Sequence, residues 1–172
     1  MNTFKRSTLM IALLLLVGSM ATQASAADKL DKVKCAFLLN FTKYVAWPGG
    51  SGDFVIGVVG KDPFDGVLDK IVDGKTAGDR PIKTTYLAAD ASADDLKKCS
   101  ILFVNTDIKP VLEKIGNAPI LTVGDTADFA KNKGMVGLIA TNKINLEINK
   151  NQADAAKLKI NAKLLQMAKI VD

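Results

Sequence analysis

Histidine, the side chain best suited to moving protons at neutral pH, does not occur in this chain of 172 residues. A Ser-His-Asp or Cys-His catalytic arrangement is therefore excluded, and the commonest metal ligand is missing. The adjacent charges Asp94-Asp95 and Lys97-Lys98 accompany a short predicted helix, where such pairs are usually solvated surface. We expect no catalytic residue, no metal and no cofactor, and a protein that binds rather than catalyses.

The turn at Gly60-Lys61 lies between a predicted strand and a predicted helix, where α/β proteins often bind phosphate. The P-loop pattern requires a second glycine upstream and a hydroxyl residue after the lysine, and Lys61 is followed by Asp62. Val123-Gly124-Asp125 repeats the same order of strand, glycine and capping residue. Both segments are predicted to be structural turns, with a lesser anion site at the first as the alternative.

Two cysteines, Cys35 and Cys99, allow one intramolecular disulfide. An oxidising compartment would permit the bond. Each cysteine also lies in an apolar segment, as buried free thiols do, and the sequence does not give the distance between them. We predict the disulfide and keep two buried thiols as the alternative.

Four aromatic residues, Phe37, Phe41, Tyr44 and Trp47, follow one another at intervals of three and four. This spacing places them on one face of a helix, and packing against the core is the first explanation of such a face. Trp47 stands at the helix exit beside Pro48. Because tryptophan is enriched in binding hot spots, Trp47 with Tyr44 is our candidate for partner contact.

The elements that must position these residues alternate along the chain. A helix is predicted from Leu30 to Trp47, and apolar runs that begin at Phe54, Ile82, Ser100 and Ile120 are predicted strands separated by helices or helical turns. The helices start at Asp62, Ser92 and Ile108, and a helical turn starts at Asp125. Such alternation predicts a mostly parallel sheet with helices on both faces.

The last third of the sequence has a different pattern. Met135–Ala140 and Ile144–Ile148 are predicted to form a β-hairpin, which adds an antiparallel edge to the sheet. A final helix is predicted over Ala153–Ile170, and its apolar content exceeds one buried stripe. Leu165 and Ile170 on this helix are therefore added to the candidate partner surface. The fold class is a single α/β domain with a mixed, mostly parallel sheet.

The N-terminus has the layout of a secretory signal peptide. Lys5 and Arg6 precede the apolar run Leu9–Val17, and small residues lead to Ala24-Ser25-Ala26. The apolar run is too short for a transmembrane helix, which needs about 20 residues. We predict cleavage after Ala26, export, and one domain at residues 27–172.

The charge of the predicted mature domain does not favour nucleic acid as a partner. Loss of Lys5 and Arg6 lowers the net charge from +5 to +3, and Arg80 is then the only arginine. Arginine is the residue preferred for bidentate recognition of phosphates and bases.

The segment VKCAFLLNFTKYVAWP resembles the first helix of the YfiR-type periplasmic proteins, a family also catalogued as a domain of unknown function. The family pattern N-F-x-K-[YF]-x-x-W-P is met by Asn40, Phe41, Lys43, Tyr44, Trp47 and Pro48. Further matches follow in the family's order at residues 54–64, 97–104, 119–130, 134–139 and 144–168. Cys99 occupies a position where the family commonly has cysteine, whereas Cys35 replaces a small residue.

The resemblance implies a regulator that is not an enzyme. Proteins similar to this one bind the periplasmic domain of a membrane-anchored diguanylate cyclase, which lowers cyclic-di-GMP synthesis and biofilm formation. An outer-membrane, peptidoglycan-associated lipoprotein releases the cyclase by capturing the repressor, and dimers are associated with the family. A membrane-bound sensor kinase is kept as the alternative to the cyclase.

Two other functions are left open by the residues. One is a periplasmic sensor module that binds a small molecule, because α/β folds place pockets at the carboxyl ends of strands. The other is an enzyme that uses carboxylates or lysines.

Overall fold

The computed structural model describes residues 27–172. The predicted signal peptide, residues 1–26, lies outside the described residues. Within residues 27–172 no helix is both long enough and apolar enough to cross a membrane.

The first element is helix α1, residues 27–44, which confirms the predicted amphipathic helix but ends three residues before Trp47, so Trp47 does not share the helical face of Phe37, Phe41 and Tyr44. Cys35, Leu38 and Phe41 lie on its buried face. The chain then extends into a two-residue strand, β1 (Val45–Ala46), before the Trp47-Pro48-Gly49-Gly50 segment.

The domain is built on an eight-stranded mixed sheet with the order β10-β8-β7-β6-β5-β2-β4-β3. Its strands are β2 (Phe54–Gly60), β3 (Thr76–Ala77), β4 (Arg80–Leu87), β5 (Ile101–Asn105), β6 (Leu121–Gly124), β7 (Val136–Ala140), β8 (Ile144–Asn149) and β10 (Ala168–Val171). Strands β4, β2, β5, β6 and β7 pair in parallel, whereas β7 with β8 and β3 with β4 are antiparallel. The predicted fold class and the predicted hairpin are confirmed.

Helices and turns cover both faces of this sheet. They are α2 (Val67–Val72), α3 (Ala93–Lys97), α4 (Ile108–Ile115), α5 (Lys150–Ala155) and α6 (Ala162–Gln166). The larger core cluster contains residues of α1, α2, α5 and α6, and the smaller one contains residues of α3, α4 and the segment after β6. Alternate residues of β2 and β5 enter the two clusters, so the sheet separates them.

The predicted final helix over Ala153–Ile170 is wrong. The chain forms α5, a two-residue strand β9 (Lys159–Ile160), α6 and strand β10 instead. Lys157 adopts a left-handed backbone conformation with φ of 60° after α5, and the Asn161 side chain caps α6 by accepting from the Lys163 amide at 2.8 Å. Strand pairing of β9 with β1 and of β10 with β8 overrides the helix propensity of this segment.

Three smaller predictions, on the hairpin, on the start of α2 and on the turn at Asp125, are corrected by the structure. The hairpin is not the edge of the sheet, because β10 pairs with β8 beyond it in parallel. Helix α2 begins at Val67 rather than beside Asp62, whose carboxylate instead accepts from the Phe64 amide at 2.9 Å. The helical turn predicted from Asp125 is a series of non-helical turns with left-handed residues at Asp128 and Lys133.

Candidate functional site

Trp47 is held in place by the core at the amino ends of β2 and β5. Its indole Nε1 donates a hydrogen bond to the Ser100 carbonyl at 3.0 Å, and its ring meets Phe54 edge-on with centroids 4.8 Å apart. The side chain is half-buried. Trp47 therefore has a structural role, and only one side of its ring can face a partner.

A shallow cavity of about 260 Å³ lies beside Trp47. Arg80 lines it and also lies over the Phe54 ring at 5.2 Å from the centroid. The Arg80 guanidinium donates to the carbonyls of Gly52 and Asp53 at 3.0 and 2.7 Å. The single arginine of the described domain thus fixes the loop before β2.

Tyr44 and Leu165 lie in neighbouring elements. The Tyr44 carbonyl accepts a hydrogen bond from the Asn161 amide at 2.8 Å, which joins the end of α1 to the start of α6. Both side chains are half-buried against the larger core cluster. A cavity of about 260 Å³ lined by Tyr44, Lys43 and Lys159 opens at this junction.

Ile170 lies on β10, the edge strand of the sheet, and 47% of its surface is exposed. Met167, just before this strand, is 64% exposed and lines a cavity of about 480 Å³ with Phe37 and Ile144. Lys169 on the same strand pairs with Glu147 at 3.0 Å. Met167, Phe37 and Ile144 line this cavity, and Ile170 is exposed on the edge strand that follows Met167. We call these four residues the β10 surface.

The two cysteines are not brought together. Both are free and buried, Cys35 in the larger core cluster and Cys99 in the smaller one across the sheet. The predicted disulfide is therefore not formed in this structure. Burial raises the pKa of Cys35 to about 12 and the pKa of Cys99 to about 11, so both thiols stay protonated at neutral pH.

Gly60 and Lys61 form a closed structural turn. A Cβ atom on Gly60, whose φ is 91°, would lie 2.6 Å from the Asn105 carbonyl oxygen. The Asn105 side-chain amide donates to the Lys61 carbonyl at 2.7 Å, which closes the turn onto β5. Because α2 starts only at Val67, no helix begins at Gly60, and the helix N-terminus on which the alternative of an anion site depended is not formed there.

Lys34 on α1 is a buried cation that sequence reasoning missed. Its ammonium contacts Asp31 at 2.8 Å and Asp125, at the carboxyl end of β6, at 2.7 Å. Burial acts to lower the pKa of Lys34, and the hydrogen bonds that its ammonium donates to Asp125 and Asp31, with the attraction of their charges, outweigh burial, so the pKa is raised overall. This ion triad ties α1 to the segment that follows β6.

That segment, residues 125–135, forms one wall of a cavity of about 760 Å³. The start of α4 forms the other wall. Asn149 also holds the segment, because its side-chain amide donates to the Ala130 carbonyl at 3.1 Å. Asp125 is visible in the sequence as a residue after a strand, but its partner Lys34 is 91 positions away.

No cluster of three or more residues that could bind a metal occurs within residues 27–172. The family model described as YfiR/HmsC-like matches residues 31–169. No curated protein sequence matches the chain.

Proposed function

Because the chain belongs to the YfiR/HmsC-like family, we propose that it is a periplasmic regulatory protein that binds and represses the periplasmic domain of a membrane-anchored diguanylate cyclase. Binding would lower cyclic-di-GMP and limit biofilm formation. The observation that carries the proposal is the family match, which covers nearly the whole described domain.

The proposal includes export and processing. Cleavage after Ala26 would leave a mature protein that begins at Ala27. Mass spectrometry of the protein purified from a periplasmic fraction should give the mass of residues 27–172. The full-length mass recovered from the cytoplasm would contradict this part of the proposal.

We also propose that the protein acts without catalysis. The absence of histidine from the sequence supports this, as does the state of the two thiols, which are buried and protonated at neutral pH. Turnover of a substrate by the purified protein would contradict it.

The contact surface is assigned to the β10 surface together with Tyr44 and Leu165. Exposed apolar side chains beside an open strand edge are suited to binding another protein, since burying them gives about 25 cal/mol per Å². Ile170 stays a candidate from the sequence, and Met167 joins it. Trp47 is a secondary candidate because its indole N–H is already bonded to Ser100.

A soluble domain can repress a membrane enzyme only if it binds one conformational state of that enzyme more tightly than another. A preference of about 5.5 kcal/mol would move a balance from 1:99 to 99:1, and a smaller preference gives partial repression. The same argument applies to release of the cyclase from repression. An outer-membrane lipoprotein that binds the regulator takes it away from the cyclase, and the preference for the repressed conformation is lost.

The test is a pull-down of the processed protein with the purified periplasmic domain of a membrane-anchored diguanylate cyclase from the same organism. Met167→Ser and Ile170→Ser should weaken capture at least tenfold. Tyr86→Ser is the matched control, because Tyr86 is 44% exposed on β4, near the opposite edge of the sheet. Equal capture by all three variants would rule out the β10 surface, and no capture by the unmodified protein would count against the cyclase as partner.

Two further partners accompany this proposal. A peptidoglycan-associated lipoprotein should compete with the cyclase domain for the regulator in the same assay. A homodimer is the second, and light scattering of the processed protein should give twice the mass of one chain. A monomer at all concentrations would contradict the homodimer. Simultaneous binding of the lipoprotein and the cyclase domain would contradict competition between them.

A further inference from the structure

Another cavity shares no lining residue with the one beside Met167. It opens between the start of α4 and segment 125–135, where β5 and β6 end. Its volume of about 760 Å³ is within the usual range for pockets that bind small molecules. The carboxyl ends of parallel strands are also where open α/β sheets bind ligands.

The floor of the cavity is apolar. Ile108 and Phe129 are almost fully buried, and Leu112 is half-buried beside them. Phe129 is fixed between two glycines: a Cβ atom on Gly124 or on Gly134 would lie 2.3 Å from its ring. Such a floor is rigid and suits a flat apolar group.

The rim of the cavity is cationic. Lys109, Lys131 and Lys133 line it, against one lining carboxylate, that of Asp107. That carboxylate accepts from the Lys109 amide at 3.0 Å as the cap of α4. Lys131 pairs with Asp128, but an ammonium has three N–H donors and keeps others for a ligand.

These observations together define a site with an apolar base and an excess of positive charge at its mouth. We propose that this cavity binds a small organic anion, a carboxylate or phosphate ester attached to an apolar ring or short chain. The apolar part lies on Leu112, above the buried Ile108 and Phe129, and the anionic group contacts the lysines. This binding goes beyond the proposed regulation of a cyclase and does not depend on it.

The structure favours an organic anion over inorganic phosphate for a geometric reason. The lysines stand at the exposed mouth, where charge attraction alone is weak and screened by salt. Burial of an apolar body against the floor must therefore supply part of the affinity. A neutral ligand of the same shape would lack the charge interaction with the lysines, and inorganic phosphate would lack the apolar contact with the floor of the cavity.

The experiment uses the processed protein and three probes: 2-naphthoate, the neutral 2-naphthylmethanol and inorganic phosphate. We expect 2-naphthoate to bind with a Kd of about 1 mM or tighter and to shift the amide NMR signals of Leu112 and Phe129. The alcohol and phosphate should each bind roughly tenfold more weakly.

Variants locate the site. The double variant Lys109→Gln/Lys133→Gln should weaken naphthoate binding about tenfold or more, with unchanged thermal stability. Lys143→Gln is the matched control, because Lys143 lines the separate cavity beside Met167, and it should bind naphthoate as the unmodified protein does.

Several results would overturn the proposal. They are NMR shifts confined to residues outside the cavity, equal binding of the acid and the alcohol, phosphate binding as strong as that of naphthoate, or a double variant that binds normally. Because no cyclase is present in the assay, failure here leaves the partner proposal untouched, and failure of the pull-down leaves this one untouched.

Discussion

Replacing Lys34 with methionine tests the buried ion triad directly. The substitution keeps the length and apolar body of the side chain and removes the charge between Asp31 and Asp125. Removal of one partner from a buried ion pair costs about 3–5 kcal/mol. The two carboxylates keep 25% and 20% of their side-chain surface exposed, so water offsets part of the loss and we expect a cost of roughly 2–3 kcal/mol.

The assay is equilibrium unfolding in urea, where this loss should lower the midpoint by about 1–2 M. The double variant Lys34→Met/Asp125→Asn should recover at least half of the loss, because it removes the carboxylate that the first change leaves unpaired. Lys150→Met is the control: Lys150 and Asp154 are 50% and 53% exposed, and the change should cost less than about 0.5 kcal/mol.

Two results would refute the reasoning about Lys34. One is a cost for Lys34→Met as small as that of the control. The other is additivity of the Lys34 and Asp125 changes to within about 0.5 kcal/mol, because contacting groups should show a larger coupling energy. The raised pKa of Lys34 gives a further check: its stabilisation is present below about pH 10.4 and is lost as the pH rises above it, and Lys34→Met should lack that part of the alkaline loss.

Three further predictions follow from the packing. Without reductant, the thiols of Cys35 and Cys99 should react with a disulfide reagent only after the protein unfolds, and two thiols should react per chain; no reaction after unfolding would show a disulfide. Because burial raises their pKa values to about 12 and 11, these thiols ionise first in the unfolded chain, and the free energy of unfolding should fall as the pH rises above about 8.5. Cys99→Ala should reduce that fall. Gly124→Ala should lower the free energy of unfolding in urea by about 1–3 kcal/mol, because the added Cβ would lie 2.3 Å from the Phe129 ring. Adding Phe129→Leu to this variant should restore part of the lost stability, whereas simple addition of the two single losses would contradict the contact. Trp47→Phe should lower the free energy of unfolding by about 1–2 kcal/mol, because it removes the indole hydrogen bond and some packing. If stability is unchanged and cyclase binding is lost, Trp47 is a partner-contact residue instead.

The sequence predicted the central sheet well for physical reasons. Runs such as Phe54–Gly60 and Ile101–Asn105 are apolar on both faces, as strands covered on both sides must be. Ser92 and Asp107 cap α3 and α4 through local hydrogen bonds that depend on neighbouring residues alone. Features set by local chemistry were therefore predictable.

The C-terminal segment and the site were less predictable, since they depend on distant residues. Alanine, lysine and leucine favour helix over residues 153–170, but pairing with β1 and β8 decides the structure. Lys34 has the pattern of a surface lysine until Asp125 is placed beside it. Trp47 was predicted at the end of the helix, but the helix ends at residue 44, and the bond from Trp47 to Ser100, 53 positions away, could not be inferred.

The short pairing of β1 with β9 has a consequence for how the protein matures. It joins Val45 to Ile160 and Ala46 to Lys159, so it closes a loop of more than a hundred residues. If the chain is exported from its N-terminus, as we propose, α1 reaches the far side of the membrane long before β9, the strand that closes the loop. Until β9 arrives, the apolar face of α1 stays uncovered, and a chain that ends before Lys159 should be bound by chaperones or degraded by proteases rather than fold as a slightly weakened domain.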